Sequence, residues 1–341
     1  MWKARSIPNG GDTPCLFLCV THENLVCIVG HLFYRNAFGI IGIINSNMSI
    51  SLCLKKRGIL MFEMKEYVSI FQRNGVKEAE HYRMDNAPKK IYKFIPFFDN
   101  GNSKVNKRNI ETIEEKKVWA SKYFSLNDPF EFNGMYLDEE KISASGNDVG
   151  TFYEYWKYIT DCFITISFCA EKENLHPLNN MPMWAYYANN HHGICVEYDV
   201  CNPICLYPVS YEQERNPMSV VLGNFVALSL DAVNGKISGQ NPELLKYQFL
   251  ILNLMCVKHR SWKQENEFRI LFPYPRLREN GKRVGLKDLG LEISAIYLGK
   301  DCSIRNQNRL KGVSINLGID LYKMRVNNQS RKFDMCFDRI H

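Results

Sequence analysis

HRSWKQENEFRILFP, residues 259–273, opens with a tryptophan, two glutamates one residue apart and an arginine, then runs into apolar residues. Side chains alternate between the two faces of a strand. Read as a strand from Glu265, the stretch puts Glu265, Glu267, Arg269 and Leu271 on one face and Asn266, Phe268, Ile270 and Phe272 on the other. The second is a core face. The first lines up two carboxylates and a guanidinium, which on an exposed edge would be a surface ion pair worth little. Trp262 argues for another use, because an aromatic beside a carboxylate suits a ligand cleft.

Working outward, residues 163–169 (FITISFC) are β-branched and apolar and predict a buried strand. Further strands are expected at 91–95, 194–198, 205–211, 268–272 and 293–298, and residues 118–121 with 123–124 read as strand or extended loop. Residues 109–116 (NIETIEEK) favour helix with Asn109 as N-cap. Helices are also expected at 152–162, 183–189, 218–233 and 242–258, the last with Asn241 as N-cap and Pro242 at its first position. Strands and helices mix without regular βαβ alternation, so the expectation is an α+β fold: a mixed, mostly antiparallel sheet core with flanking helices.

The chain has 341 residues, a formal charge of +7 and 45% hydrophobic residues, which suits a globular protein and is too mildly basic to announce a nucleic-acid binder. Twelve cysteines are scattered without a repeated CxxC pair, so a zinc ribbon is not expected. Reduced thiols and a cytoplasmic location are expected, since no secretory signal opens the chain. Residues 24–44 hold apolar runs broken by His31, Arg35 and Asn36, and no membrane span is expected there. Residues 1–85 read as an appendage, or in part as an over-extended start with translation beginning near Met61 or Met64. Residues 86–325 read as the main domain and 326–341 as a tail. No GxGxxG, P-loop or GxSxG appears.

The combination Lys258-x3-Trp262-x2-Glu265-x-Glu267-x-Arg269-Ile270 resembles the closing motif of a bacterial family, domain of unknown function 2971. Three further segments resemble the same family in order: Tyr92-Lys93-Phe94, Phe124-x2-Asn127-Asp128-Pro129-Phe130-Glu131, and Met183-Trp184-Ala185-x-Tyr187-Ala188-x2-His191-x-Gly193. Ile296-Tyr297-Leu298-Gly299 is more loosely similar to its final strand. Phe94 stands where the family has Tyr, and Tyr186 where His is common. A more distant resemblance is to ADP-ribosyltransferase-like folds, in which a late strand begins with a catalytic Glu, sometimes as Glu-x-Glu.

That resemblance implies an NAD-dependent ADP-ribosyltransferase-like enzyme, a bacterial toxin or phage-defence effector, with NAD as co-substrate. Glu267 would stabilise positive charge on the ribose and Glu265 would polarise the acceptor. Lys93 or Arg269 would hold the pyrophosphate, and Tyr92, Trp184 or Tyr187 would stack on a ring. Trp262, Asn127, Asp128 and His191 would line the cleft, although Asn127 and Asp128 equally suit an Asx turn before proline, and Trp184 or Tyr187 simple core packing. His191, His192 and Cys195 lack a clear fourth ligand, so no metal site is expected. Residues 258–287 carry nine basic residues against three acidic ones, a patch for nucleic acid or a solvated loop. Two other readings stand beside the transferase. One is a non-catalytic nucleic-acid or ligand-recognition module of a defence system. The other is a metal-dependent nuclease using Asp128, Glu131, Glu265 and Glu267.

Overall fold

The computed structural model describes residues 62–99, 104–172, 175–274 and 279–341. The expectations for residues 1–61, including the apolar stretch 24–44 and the alternative start at Met61, lie outside these residues. The chain begins with helices α1 (Met64–Asn74) and α2 (Val76–Asp85), then β1 (Lys90–Ile95), α3 (Lys104–Glu114) and β2 (Lys117–Ser121). A loop leads to β3 (Met135–Tyr136), α4 (Glu139–Ala144), α5 (Val149–Asp161), β4 (Phe163–Cys169), α6 (Met181–Tyr187) and β5 (Ile194–Val200). Three short strands follow, β6 (Leu206–Pro208), β7 (Ser210–Glu212) and β8 (Asn216–Pro217), then α7 (Ser219–Val233), α8 (Pro242–Leu254) and β9 (Val257–His259). The last part is β10 (Glu267–Pro273), β11 (Gly281–Gly285), β12 (Leu291–Leu298), α9 (Ile304–Leu317), β13 (Asp320–Val326) and β14 (Met335–Arg339).

The fold is α+β. Eight strands run in the order β11-β2-β4-β1-β5-β12-β13-β14, and β10, with β6 beyond it, branches from β4. Every pairing in this ten-stranded sheet is antiparallel except β12–β13, which α9 connects as a crossover. β4 and β10 are its centre. They pair in register from Phe163↔Pro273 to Cys169↔Glu267, so the quoted stretch lies against the strand that the sequence reads most clearly.

Alternation along β4 and β10 sorts the core. Phe268, Ile270, Ile164, Ile166 and Phe168 join one apolar cluster with Ile113 of α3 and Leu310 and Val313 of α9. Leu271 and Phe163 join another with α5, α7 and α8. A third gathers Tyr92, Phe94, Cys169 and Cys195 around Trp184 of α6. Glu267 and Arg269, on the Leu271 side of β10, face the sheet side that the second and third clusters share.

Several local expectations change. α3 begins at Lys104, and Asn109 sits inside it, its Nδ2 donating to Pro96 O at 3.0 Å. Asn241 does cap α8, accepting from the Glu243 and Leu244 N–H groups. However, α8 stops at Leu254 and the chain turns into β9, so Lys258 belongs to a strand. The break expected at residue 85 is bridged: Arg83 is buried, ion-paired with Glu80, and donates to the carbonyls of Pro203, Ile204 and Leu206. The expected tail supplies β14, which pairs along β13 and adds the ion pairs Arg325–Asp338 and Arg339–Asp320.

The glycine of the Met-Trp motif has a steric reason. A Cβ at Gly193 would lie 2.3 Å from Ile95 O and 2.8 Å from Ala188 O, both backbone atoms. It follows three consecutive residues with positive φ, Asn189, Asn190 and His191, which turn the chain tightly back into β5. Gly193→Ala is expected to lower stability by about 3 kcal/mol, because backbone rather than a movable side chain must give way. Urea unfolding measures this, and a loss below about 0.5 kcal/mol would show that the turn can relax.

Candidate functional site

The strand expected from Glu265 begins two residues later. Arg260–Glu265 is a 3-10 turn, and Asn266 takes a left-handed conformation (φ 42°) before β10 starts at Glu267. Asn266 Nδ2 donates to Ala170 O at 2.7 Å, which anchors this corner to the end of β4. Glu265 and Glu267 therefore do not share one strand face. They converge instead on a cation from β9.

Lys258 Nζ lies 2.6 Å from Glu265 Oε2 and 3.0 Å from Glu267 Oε2. Arg269 grips Glu267 as a fork, Nε to Oε1 at 2.9 Å and Nη2 to Oε2 at 3.1 Å, and its Nη1 donates to Met255 O at 2.6 Å. The same Nη1 ion-pairs with Glu131. The Tyr187 hydroxyl donates to Glu265 Oε1, Tyr211 OH accepts from Glu267 N–H at 2.8 Å, and the Lys258 ammonium sits over the Trp262 ring at 5.0 Å. Lys258, Glu131, Glu265, Glu267 and Arg269 are all buried. The charged face that looks like a surface edge in the sequence is an internal cluster.

Its charges are unequal in character. Burial opposes the charge of Glu267, but Arg269 and Lys258 overcome that and hold its carboxyl at about 2. Burial prevails at Glu265 and Glu131, whose carboxyls are raised despite Lys258 and Arg269. Burial opposes the charge of Lys258 too, and its two glutamates outweigh it and raise the amine. Tyr187 is raised by burial and by Glu265.

Two clefts flank this cluster. One, about 390 Å³, is lined by Asn127, Tyr186, Tyr187, Ser261, Trp262 and Gln264. The other, about 380 Å³, includes Gln264, Glu265, Lys263, Lys172, Asn180 and Asn266. Gln264 belongs to both, and Glu265 borders the second while accepting from a tyrosine of the first. Glu267, Glu131 and Arg269 line neither.

The remaining candidates fall elsewhere. Trp184 is fully buried, its Nε1 donating to Leu178 O and its ring parallel to His191, so it is a packing residue that a ligand ring does not reach. Tyr92 is buried with its hydroxyl against His176 Nε2 at 3.2 Å. Of the three expected stacking residues, Tyr187 lines one of these two clefts, and Tyr92 and Trp184 line neither. Lys93 Nζ donates to Ser167 O at 3.1 Å, and burial brings the amine down to about 8. Ser167 lies between the β4 bridges to β2 (at Thr165) and to β1 (at Cys169), so Lys93 fills a gap in the ladder. Lys93 and Arg269 are thus engaged inside the protein, away from the clefts in which a pyrophosphate could sit. Asp128 makes the expected Asx turn, Oδ1 accepting from Phe130 N–H at 2.9 Å, while Asn127 reaches the first cleft.

Among the described residues no group of three or more His, Cys, Asp or Glu side chains is arranged to hold a metal; Glu131, Glu265 and Glu267 converge on Arg269 and Lys258. The eight cysteines described are all free. The basic segment is not one patch: Lys258 and Arg269 are internal, Arg283 pairs with Glu115, and Arg276 and Arg278 lie outside the described residues. No helix among the described residues is long and apolar enough to cross a membrane. Tyr211 is a cluster member that sequence reading did not place there, whereas the nuclease reading groups Glu131 with Glu265 and Glu267 but gives it no cationic partner. Glu131 sits inside the quoted Asn-Asp-Pro-Phe-Glu motif, but no local pattern links it to Arg269.

Fold and cluster together define an α+β protein built around a buried, countercharged junction with a cleft on either side. Residues 183–270 match the model of the family described as protein of unknown function (DUF2971). The match runs from the Met-Trp motif through α8 to the Glu-x-Glu-x-Arg strand, so it contains α6 from Met183 onward, Lys258, Glu265 and Arg269. No curated protein and no solved structure matches the chain. The wider likeness to ADP-ribosyltransferase-like folds rests on the sequence motifs alone.

Proposed function

We propose that the protein takes NAD into the two clefts and acts at the nicotinamide–ribose bond, with Glu265 as the reacting carboxylate. The observation that carries this reading is the position of Glu265. Of the three buried glutamates around Lys258 and Arg269, it alone borders either of these two clefts, and burial raises its carboxyl. Trp262 and Tyr187 offer aromatic faces for a planar ring, and Asn127 and Gln264 offer amides for its polar edge. In the step, the C1′–N bond breaks and its electron pair leaves with nicotinamide. An acceptor hydroxyl, amine or water forms the new C1′ bond and gives its proton to Glu265, which passes it to solvent. Glu267 does not touch substrate in this scheme; with Arg269 and Lys258 it positions Glu265.

The test is incubation of the full chain with labelled NAD, nucleic acids and lysate. Wild type is expected to release nicotinamide, and Glu265→Gln to lower the rate by about 100-fold or more while still binding NAD. A second reading, recognition without turnover, draws support from the Lys258–Glu265 ion pair, which could hold the carboxylate as a fixed acceptor. NAD bound but not consumed by wild type would favour that reading. NAD neither bound nor consumed would remove both as stated.

A further inference from the structure

We infer that the cleft bearing Lys172 and Lys263 is an anion subsite, so that the ligand spanning the two clefts is a phosphorylated nucleotide rather than a nucleoside or another ligand without phosphate. The inference rests on the reading above and adds the chemical class of the ligand's far end. Arg269 and Lys93, the cations that the sequence points to for a pyrophosphate, are both engaged inside the protein. The second cleft supplies replacements. Lys172 and Lys263 line it, and neither forms an ion pair among the described residues.

Charge in this cleft favours an anion. Its carboxylate, Glu265, is already countered by Lys258 at 2.6 Å and by the Tyr187 hydroxyl, so among the described residues the two lysines are the lining charges without an ion partner. The walls are fixed independently of any ligand. Asn180, itself buried, donates from Nδ2 to Gln264 O at 2.5 Å, and Asn266 Nδ2 donates to Ala170 O at 2.7 Å. These bonds tie the 3-10 turn to the start of α6 and to the end of β4, so the lysines project from a braced rim. The lining then runs from aromatic rings at Trp262 and Tyr187, through the Glu265 carboxylate, to lysines. A nucleotide has the same order: base, ribose hydroxyls, phosphate. Each cleft lies within the ~300–1,000 Å³ of small-molecule sites, and Gln264 lines both, so the two clefts adjoin.

Calorimetric titration of the full chain with nicotinamide riboside, nicotinamide mononucleotide, NAD and inorganic pyrophosphate tests this. Wild type is expected to bind the two nucleotides about 10- to 100-fold more tightly than the riboside, with pyrophosphate competing against NAD. Lys172→Ala with Lys263→Ala should erase that preference and the competition, and leave riboside affinity within about twofold, because charge-assisted bonds to phosphate are what is removed. Lys172→Arg with Lys263→Arg should restore the preference, which separates lost charge from lost folding. Equal binding of riboside and nucleotides by wild type would overturn the inference, as would an undiminished preference in the double alanine variant. Pyrophosphate bound in a lysine-dependent way without NAD binding would keep the anion subsite and remove the NAD reading. Nucleotides bound without dependence on either lysine would do the reverse.

Discussion

Arg269→Met is expected to lower stability by about 3–5 kcal/mol, the largest single-residue effect in this protein. The reason is the state of what remains. Arg269 is wholly buried, and its guanidinium is the fork on Glu267, the ion partner of Glu131 and the donor to Met255 O. Methionine has similar length and suits the apolar surroundings, so little volume is lost. Glu131 loses its ion partner and Glu267 loses one of its two, however, so Lys258 alone remains for three glutamates. Arg269→Lys should fall between, since an ammonium keeps the charge but cannot make the bidentate contact. Urea unfolding with an unchanged m-value is the measurement, and a loss under 1 kcal/mol for the methionine variant would show the cluster to be energetically idle.

The second large effect is pH-dependent. Glu267 is held at about 2 in the folded protein, against an ordinary carboxyl near 4.3 when unfolded. A lowered folded pKa adds stability above the unfolded value, and that stability drains away as pH falls towards the folded value. Glu267→Gln should therefore cost about 3 kcal/mol at pH 7, and the gap from wild type should narrow steadily from about pH 5 and close near pH 2. Glu131 and Glu265 are shifted upward and work in the opposite direction, so the narrowing identifies Glu267 specifically. Denaturant titrations of both proteins at several pH values test this, and a gap that stays constant with pH would sink it.

These two predictions concern residues visible from the sequence, yet their setting was not. The apolar run Phe268 to Phe272 and the FITISFC strand were legible because alternation and β-branching are local signals, and the two strands do pair. The inward turn of the charged face was not legible. It depends on Glu131, which comes from a loop 138 positions before Arg269 in the chain, and on Lys258, whose place depends on α8 stopping four residues early. The start of β10 was misread because a left-handed Asn266 leaves no periodic trace. α9 was missed for another reason. IRNQNRLKGVSINL has few apolar residues, although Ser303 as N-cap and Gly318 after its last turn were available as boundary signals. At the site, Trp262 and Tyr187 were legible as cleft aromatics, whereas burial, which no single sequence states, moved Tyr92 and Trp184 into the core.

The C-terminal strand has a bearing on which edge the sheet exposes. A sheet of ten strands has open borders whose N–H and C=O groups can template another chain. Along the eight-strand path, one border is β11 with Lys282 and Arg283 and the other is β14 with Asp338 and Arg339, so charge marks both ends of that path. β14 also screens β13, whose Leu321, Tyr322 and Met324 would otherwise sit on an unguarded rim. The last seven residues thus cover the edge of β13, and a chain ending before Met335 is expected to offer that edge to a neighbouring strand.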